Sequence, residues 1–96
     1  MIIQHNIIQD VTMASFDELK IKIRTFLSKY IHSNGFTDDE HLFQKGYINS
    51  LMAIELVLFV ESEFSLKVEN EDLDLNNFKS VNAIAQLVDR KTSRQG

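Results

Sequence analysis

Histidine and cysteine are the first residue types to consider for metal or nucleophilic chemistry. This 96-residue sequence contains three histidines and no cysteine. His5, His32 and His41 are not paired at the spacing of metal ligands, and we interpret them as surface residues. Without Cys, the chain has no thiolate zinc site, no cysteine nucleophile and no disulfide framework. These residues therefore predict neither a metal site nor thiol chemistry.

An acidic stretch imitates a calcium-binding loop. Asp72, Asp74 and Asn76 have the spacing of the first ligands of an EF-hand. The sixth loop position, however, holds Asn77 where the turn needs Gly, and the twelfth holds Ala83 where a bidentate Glu is needed. The sequence therefore argues against calcium binding.

Ser50 is a candidate nucleophile only in a weak sense. It is not inside the G-x-S-x-G motif of hydrolases, and the grouping of His41 with Asp38 or Asp39 is one that any polar loop can show. We therefore predict that the chain has no catalytic residue and is not an enzyme.

Residues 42–56, LFQKGYINSLMAIEL, have a more informative pattern. A polar loop leads to Gly46, two apolar residues, and then Asn49-Ser50-Leu51 at the start of an apolar helix. A Ser in the first helical turn has its hydroxyl at the surface, beside N–H groups without intrahelical partners. A phosphodiester there would lie at the positive end of the helix dipole. The alternative is that Asn49 is only a helix cap and Ser50 an ordinary first-turn residue.

This run resembles the attachment site of the acyl carrier protein family. In that family a Ser after an Asp, at the start of the second helix, receives 4′-phosphopantetheine from coenzyme A. The similarity covers roughly residues 19–88 and includes the upstream Leu-Phe-x-x-Gly, the downstream Glu55 and Glu61, and Phe64 at the helix end. The resemblance implies that Ser50 carries the arm and that its thiol holds an acyl or aminoacyl group as a thioester.

Two departures from the family pattern distinguish this chain. Asn49 stands where the family usually has Asp; it caps a helix about as well, but one negative charge near the phosphate is missing. Tyr47 and Ile48 separate the Gly from the triplet, where fatty-acid carriers usually have one residue. The pattern is similar to free-standing carriers of D-alanine or of unusual polyketide extender units.

The surrounding pattern predicts an all-α fold, because helical spacing recurs while Pro is absent and Gly scarce. The first helix starts at Ser15, which has capping-box spacing with Glu18, and is expected to end near Asn34-Gly35. A long ordered loop over 36–49 follows, with apolar anchors at Leu42, Phe43, Tyr47 and Ile48.

The second predicted helix runs from Asn49 or Ser50 to about Phe64. A short third helix is expected around Leu73, and a last helix begins after Ser80 as N-cap. The resemblance implies a four-helix bundle with a long first loop and a short third helix. We predict an extension at 1–14, a carrier domain at 15–90 and a frayed tail at 91–96.

Charge and surface pattern indicate the kind of partner. Residues 37–75 hold ten acidic and two basic residues, a net charge of −8 that disfavours nucleic acid and favours basic protein surfaces. The second helix places its predicted core residues, Ala53, Leu56, Val57, Val60 and Phe64, on one side and is more apolar than one-sided packing requires. The resemblance implies a partner-binding face formed by Leu51, Met52, Glu55, Leu58 and Glu61.

The predicted function is therefore that of a non-catalytic carrier. Its expected partners are a phosphopantetheinyl transferase, a loading enzyme, and a downstream synthase or ligase of polyketide, nonribosomal peptide or related metabolism. The alternative is an unmodified helical module that binds a partner through Leu51 and Leu58. No run is apolar enough for a membrane span or signal peptide, so a cytoplasmic location is expected.

Overall fold

The computed structural model describes residues 15–32 and 35–95. Within these ranges lie four α-helices, α1 (Phe16–Leu27), α2 (Ser50–Phe64), α3 (Leu75–Phe78) and α4 (Val81–Gln95), with a 3₁₀ turn at Asn70–Asp72. No strand occurs in these ranges, and the all-α class with four helices is confirmed. The predicted extension at 1–14 lies outside the described residues.

Helix α1 begins as its sequence predicts. The Ser15 hydroxyl accepts the N–H of Glu18, and the Glu18 carboxylate accepts the N–H of Ser15, both at 3.1 Å. This capping box satisfies two donors at the start of the helix. Leu19, Ile23 and Leu27 then form a buried stripe that packs along α4.

The predicted end of the first helix, near Asn34-Gly35, is wrong. The α-helix ends at Leu27, because the N–H groups of Lys29 and Tyr30 then bond to carbonyls three residues back, at 3.2 and 2.9 Å. This tighter winding rotates the chain, yet Ile31 remains buried and continues the apolar stripe. Apolar spacing predicted the burial of Ile31 but could not distinguish a helix from tight turns.

The loop between α1 and α2 is an ordered part of the core. Leu42 and Ile48 are buried, and Phe43 and Tyr47 pack against the core, as predicted. The Leu42 N–H donates to the carbonyl of Lys79 at 2.6 Å, which joins the loop to the start of α4. The loop therefore holds a defined position just before α2.

Arg24 fixes the beginning of this loop to α1. Its Nη1 lies 2.9 Å from Asp38 Oδ1, and its Nη2 donates to the carbonyl of Phe36 at 3.0 Å. The guanidinium also stacks over the Phe36 ring, 4.2 Å from its centroid. One side chain thus connects helix and loop through charge, hydrogen bonding and an aromatic contact.

Helix α2 has the predicted bounds. Leu56 and Val60 are fully buried, Val57 and Phe64 pack against the core, and Ala53 is half-buried. The helix ends at Ser65, whose φ of 53° is in the left-handed region. A left-handed residue is a common way to end a helix, although Gly usually occupies the position.

The short third helix predicted around Leu73 is present as α3, and a 3₁₀ turn precedes it. The 3₁₀ turn at Asn70–Asp72 precedes Leu73, and the four-residue helix α3 follows it. We call residues 70–78 the α3 segment. Its one buried side chain is Phe78, whereas Leu73 and Leu75 are exposed.

Helix α4 is the centre of the bundle. The Ser80 hydroxyl accepts the Ala83 N–H at 3.1 Å, which confirms the predicted cap. The side chains predicted for its core stripe are all buried: Val81, Ile84, Ala85, Leu87 and Val88. The frayed tail predicted from Lys91 is not observed, because α4 continues to Gln95 and Lys91 Nζ lies 2.6 Å from Asp72 Oδ2.

Candidate functional site

Asn49 and Ser50 form the start of α2. The Asn49 side-chain oxygen accepts the Met52 N–H at 3.1 Å, and the Asn49 carbonyl accepts the Ala53 N–H at 3.0 Å. Ser50 is the first residue inside the helix and is exposed. Its N–H and that of Leu51 lie in the first turn, where the helix itself offers no acceptor.

Gly46 shapes the approach of the chain to this helix. Its φ of 77° lies in the left-handed region, where a residue with a Cβ is strained. The Gly46 N–H donates to the Phe43 carbonyl at 3.0 Å, and the Tyr47 N–H returns to the Leu42 carbonyl at 2.9 Å. This turn directs the chain from the buried Leu42 to Asn49. The left-handed conformation that the turn requires explains why a Gly occupies position 46.

A cavity of about 440 Å³ opens beside Ser50. The loop and α2 form one wall and the α3 segment the other, and its lining includes Phe43, Ser50, Ala53, Val57, Leu73 and Leu75. The sequence analysis missed Leu73 and Leu75 as site residues. The sequence did contain a signal for them, because two leucines two positions apart stand out in an otherwise acidic stretch. Since they are exposed and do not belong to the core, they are available to line a site.

The first turn of α2 suits a phosphodiester on Ser50. No acidic residue lies in that turn, so a phosphate would meet the positive helix end without a nearby carboxylate of the same turn. Ser50 is exposed and is one of the residues that line the cavity. Residues 49–51 therefore fit a phosphate-linked group on Ser50.

The outer side of α2 carries a row of exposed apolar side chains. Leu51, Ile54 and Leu58 are 70, 60 and 59% exposed. Their spacing of three and four residues puts them on one side of the helix. Ile54 was missed in the sequence analysis, although its position between Leu51 and Leu58 at helical spacing could have revealed it.

Glu55 lies on this outer side and contacts the turns that follow α1. Its Oε1 accepts a hydrogen bond from the Tyr30 hydroxyl at 3.2 Å. Desolvation raises the pKa of Tyr30, and the hydrogen bond and negative charge of Glu55 raise it further. The structure thus brings Glu55 together with Leu51 and Leu58, while one of its carboxylate oxygens joins α2 to the turns that follow α1.

Glu61 and Met52 occupy different surroundings from these three residues. The Glu61 Oε2 accepts the Val68 N–H at 2.8 Å, which holds the chain after the end of α2. Met52 is half-buried and packs against the core. Both residues therefore have structural contacts in addition to the partner role predicted for them.

The polar residues considered for metal chemistry serve local structure. The Nδ1 atom of His41 accepts the Gln44 N–H at 3.3 Å, and Asp74 caps α3 by accepting the Asn76 N–H at 2.9 Å. Asp72 is paired with Lys91. Over residues 15–32 and 35–95, no group of three or more His, Asp or Glu side chains could hold a metal ion.

Comparison with known protein families agrees with this geometry. Residues 21–88 match the sequence model of the family described as phosphopantetheine attachment site. The match covers more than half of the 96 residues and includes the start of α2, so the chain belongs to this family. No curated protein matches the chain.

Family membership defines the class of protein. The chain is a phosphopantetheine-carrying carrier protein, and its cofactor is covalently attached 4′-phosphopantetheine. Carrier domains of this family are not catalytic themselves and work with a phosphopantetheinyl transferase and other partner enzymes. In the part of the chain that the structure describes, no helix is long and apolar enough to cross a membrane.

Proposed function

We propose that Ser50 is the attachment residue and that the arm carries an acyl or aminoacyl group for a biosynthetic pathway of the polyketide, nonribosomal peptide or related type. The observation that supports this most is the position of Ser50. It is exposed at the first turn of α2, directly after the Asn49 cap and inside the region matched by the family. The cytoplasmic location expected from the sequence stays a prediction.

Attachment requires one substitution at phosphorus. On the transferase, the Ser50 oxygen attacks the phosphorus of coenzyme A that bears the pantetheine. A new P–O bond forms, the phosphoanhydride bond breaks, and adenosine 3′,5′-bisphosphate leaves. The hydroxyl proton passes to a base of the transferase. The arm then supplies a thiol that holds the carried group as a thioester.

Intact mass spectrometry tests this assignment. Incubation with coenzyme A and a broad-specificity phosphopantetheinyl transferase is expected to add the mass of one arm to the wild type and none to Ser50→Ala. Ser62→Ala is the matched control, because Ser62 is an exposed serine of the same helix, and it should be modified like the wild type. A wild type that stays unmodified with several transferases would favour the alternative, an unmodified interaction module.

The cavity beside Ser50 favours a carried group with a hydrocarbon portion. Its lining is mostly apolar, and burying apolar surface there contributes about 25 cal/mol per Å². Loading the arm with a longer acyl group should shift the methyl resonances of Val57 and Leu75, while an acetyl group should shift them little. Equal shifts with both groups would argue against this preference.

Partner enzymes are proposed to dock on the outer side of α2, around Leu51, Met52, Glu55, Leu58 and Glu61. Exposed leucines supply apolar contact, and the acidic charge attracts basic partner surfaces.

Glu55→Lys should slow association with the transferase most at low salt, because the Debye length falls from about 30 Å at 0.01 M to about 10 Å at 0.1 M. Asp89→Lys, the same charge change at an exposed site on α4, should have a smaller effect. Equal effects would contradict this docking face.

A further inference from the structure

Helix α2 carries three glutamates, and each is held by a different kind of donor. Glu63 pairs with the Lys22 ammonium at 3.2 Å, and Glu61 accepts a backbone N–H beyond the end of α2 at 2.8 Å. Glu55 accepts the Tyr30 hydroxyl at 3.2 Å. None of the ion pairs among the described residues includes Glu55. Its carboxylate is therefore held by a neutral donor, which leaves its negative charge without a counter-charge in this part of the chain.

Along the helix, Glu55 is also the closest of the three glutamates to Ser50. It lies five residues after Ser50, which corresponds to roughly 7.5 Å at the helical rise of about 1.5 Å per residue. Glu61 and Glu63 lie in the last turn, at the other end of α2. A partner that binds around Ser50 therefore has the Glu55 carboxylate nearest to its own reaction site.

Tyr30 has a well-defined position from which to hold Glu55. Its ring packs against Phe26, with ring centroids 5.3 Å apart and planes at 54°. Phe26 in turn stacks on Phe59 of α2, with centroids 4.2 Å apart, and both phenylalanines pack against the core. Since few bonds rotate in a tyrosine side chain, this packing defines where the hydroxyl lies.

A glutamate on a helix surface otherwise samples several rotamers. Fixing such a side chain in an interface costs conformational entropy, which the contact with the partner must offset. The Tyr30 hydroxyl restricts Glu55 in the free protein and adds no opposing charge. Desolvation raises the pKa of Tyr30, and the hydrogen bond and charge of Glu55 raise it further, so the hydroxyl stays a donor at neutral pH.

We propose that Tyr30 is a positioning residue for recognition by the transferase: its hydroxyl holds the Glu55 carboxylate in place on the docking face, where it receives a cationic side chain of the enzyme. This inference rests on the docking face proposed above. It extends recognition from α2 to the turns that follow α1. The pairing is not apparent from the sequence, because twenty-five residues separate Tyr30 from Glu55.

Transferase kinetics with the carrier as the varied substrate test this role. Tyr30→Phe removes the hydroxyl and keeps the ring, and it should lower kcat/KM for modification of Ser50 roughly two- to fivefold at low salt, mainly by raising KM. The loss should shrink at higher salt, which screens the ionic contact. Ser28→Ala is the control, because the Ser28 hydroxyl bonds to the Arg24 carbonyl within its own turn at 2.7 Å, and kcat/KM should stay unchanged.

A double-mutant cycle shows whether Tyr30 acts through Glu55. In a Glu55→Ala background, Tyr30→Phe should cause no further loss of kcat/KM, because the carboxylate that the hydroxyl positions is gone. An equal loss in both backgrounds would show that the hydroxyl contacts the transferase directly, and it would overturn the positioning role.

NMR couplings that report the side-chain torsion of Glu55 provide a readout without any partner. Tyr30→Phe should bring these couplings towards rotamer-averaged values, and unchanged couplings would overturn the positioning role. The kinetics also separate this inference from the proposed function. A wild type that is not modified at Ser50 would overturn both, whereas equal modification rates of wild type and Tyr30→Phe at low salt would overturn the role of Tyr30 alone.

Discussion

The two walls of the cavity beside Ser50 are held in different ways. Helix α2 is fifteen residues long and inserts the fully buried Leu56 and Val60 into the core. The α3 segment, residues 70–78, buries Phe78 and is otherwise held by polar contacts to α4, from Lys91 to Asp72 and from Arg90 to Asn77. One wall is thus fixed by the apolar core, and the other depends on a few polar contacts, so we expect the α3 segment to open without unfolding the core.

The largest effect is expected within α2, between its inner and outer sides. Leu56→Ala should lower the free energy of unfolding by about 2–5 kcal/mol, because it leaves a cavity in the core. Leu58→Ala, the same change two residues later at an exposed site, should cost less than about 1 kcal/mol. Denaturant unfolding measures both. A core-sized loss for Leu58→Ala would show that the outer side of α2 is structural.

A moderate, pH-dependent effect is expected in the α3 segment. Hydrogen bonding from Lys91 lowers the pKa of Asp72; partial burial opposes this, and the Glu69 N–H lowers it further. A carboxylate with a lowered folded pKa stabilises the fold above its unfolded pKa of about 3.9, and this stability is lost as the pH falls through the folded pKa. Asp72→Asn should therefore cost roughly 1 kcal/mol at neutral pH.

The same variant tests whether the α3 segment opens separately from α2. Its stability difference from the wild type should shrink as the pH falls below about 4 and through the lowered pKa of the folded Asp72 carboxylate. Hydrogen exchange at neutral pH should accelerate over residues 70–78 more than over α2. A uniform acceleration over both walls would show that they unfold together.

A smaller effect is expected at the cap of α2. Asn49→Ala should cost about 1 kcal/mol, because the Met52 N–H loses its acceptor. Asn49→Asp keeps the acceptor and should change stability by less than about 0.5 kcal/mol. It should nevertheless change the rate of modification by transferases that recognise an acidic residue before the serine. Equal modification rates with a large stability change would restrict Asn49 to a structural role.

The smallest effect concerns the connection between the two walls. Ser65 has a left-handed conformation that favours Gly, so Ser65→Gly should stabilise the fold by about 0.5 kcal/mol. Ser62→Gly, in the exposed interior of α2, should destabilise it by a similar amount. Thermal unfolding of both variants measures this difference in sign, and destabilisation by both would contradict the conformation observed at Ser65.

Local sequence signals predicted the parts of this fold that depend on nearby residues. The capping box at Ser15, the bounds of α2 and the Ser80 cap all follow from side chains within three or four positions of each other. The end of α1 and the length of α4 were mispredicted. The first depends on a change in winding that leaves Ile31 buried, and the second is accompanied by the distant contact between Lys91 and Asp72.

In the candidate site, too, the features that depend on neighbouring residues were predictable, and those that depend on distant residues were not. The start of α2 was evident in the triplet at Asn49, because cap and serine are neighbours in the chain. The cavity was not, since Leu73 and Leu75 reach it from a segment more than twenty residues away. The contact between the Glu61 carboxylate and the Val68 N–H was likewise not predictable, because it forms only when the chain turns back at Ser65.

The most direct test of the central claim is to locate the arm on the chain. Trypsin cleaves after Lys45 and Lys67 and releases residues 46–67, a peptide that contains Ser50, Ser62 and Ser65. After reaction with coenzyme A and a phosphopantetheinyl transferase, fragmentation of this peptide by mass spectrometry should place one phosphopantetheine on Ser50 and leave the other two serines unmodified. An arm on Ser62, on Ser65 or outside this peptide would contradict the assignment of Ser50.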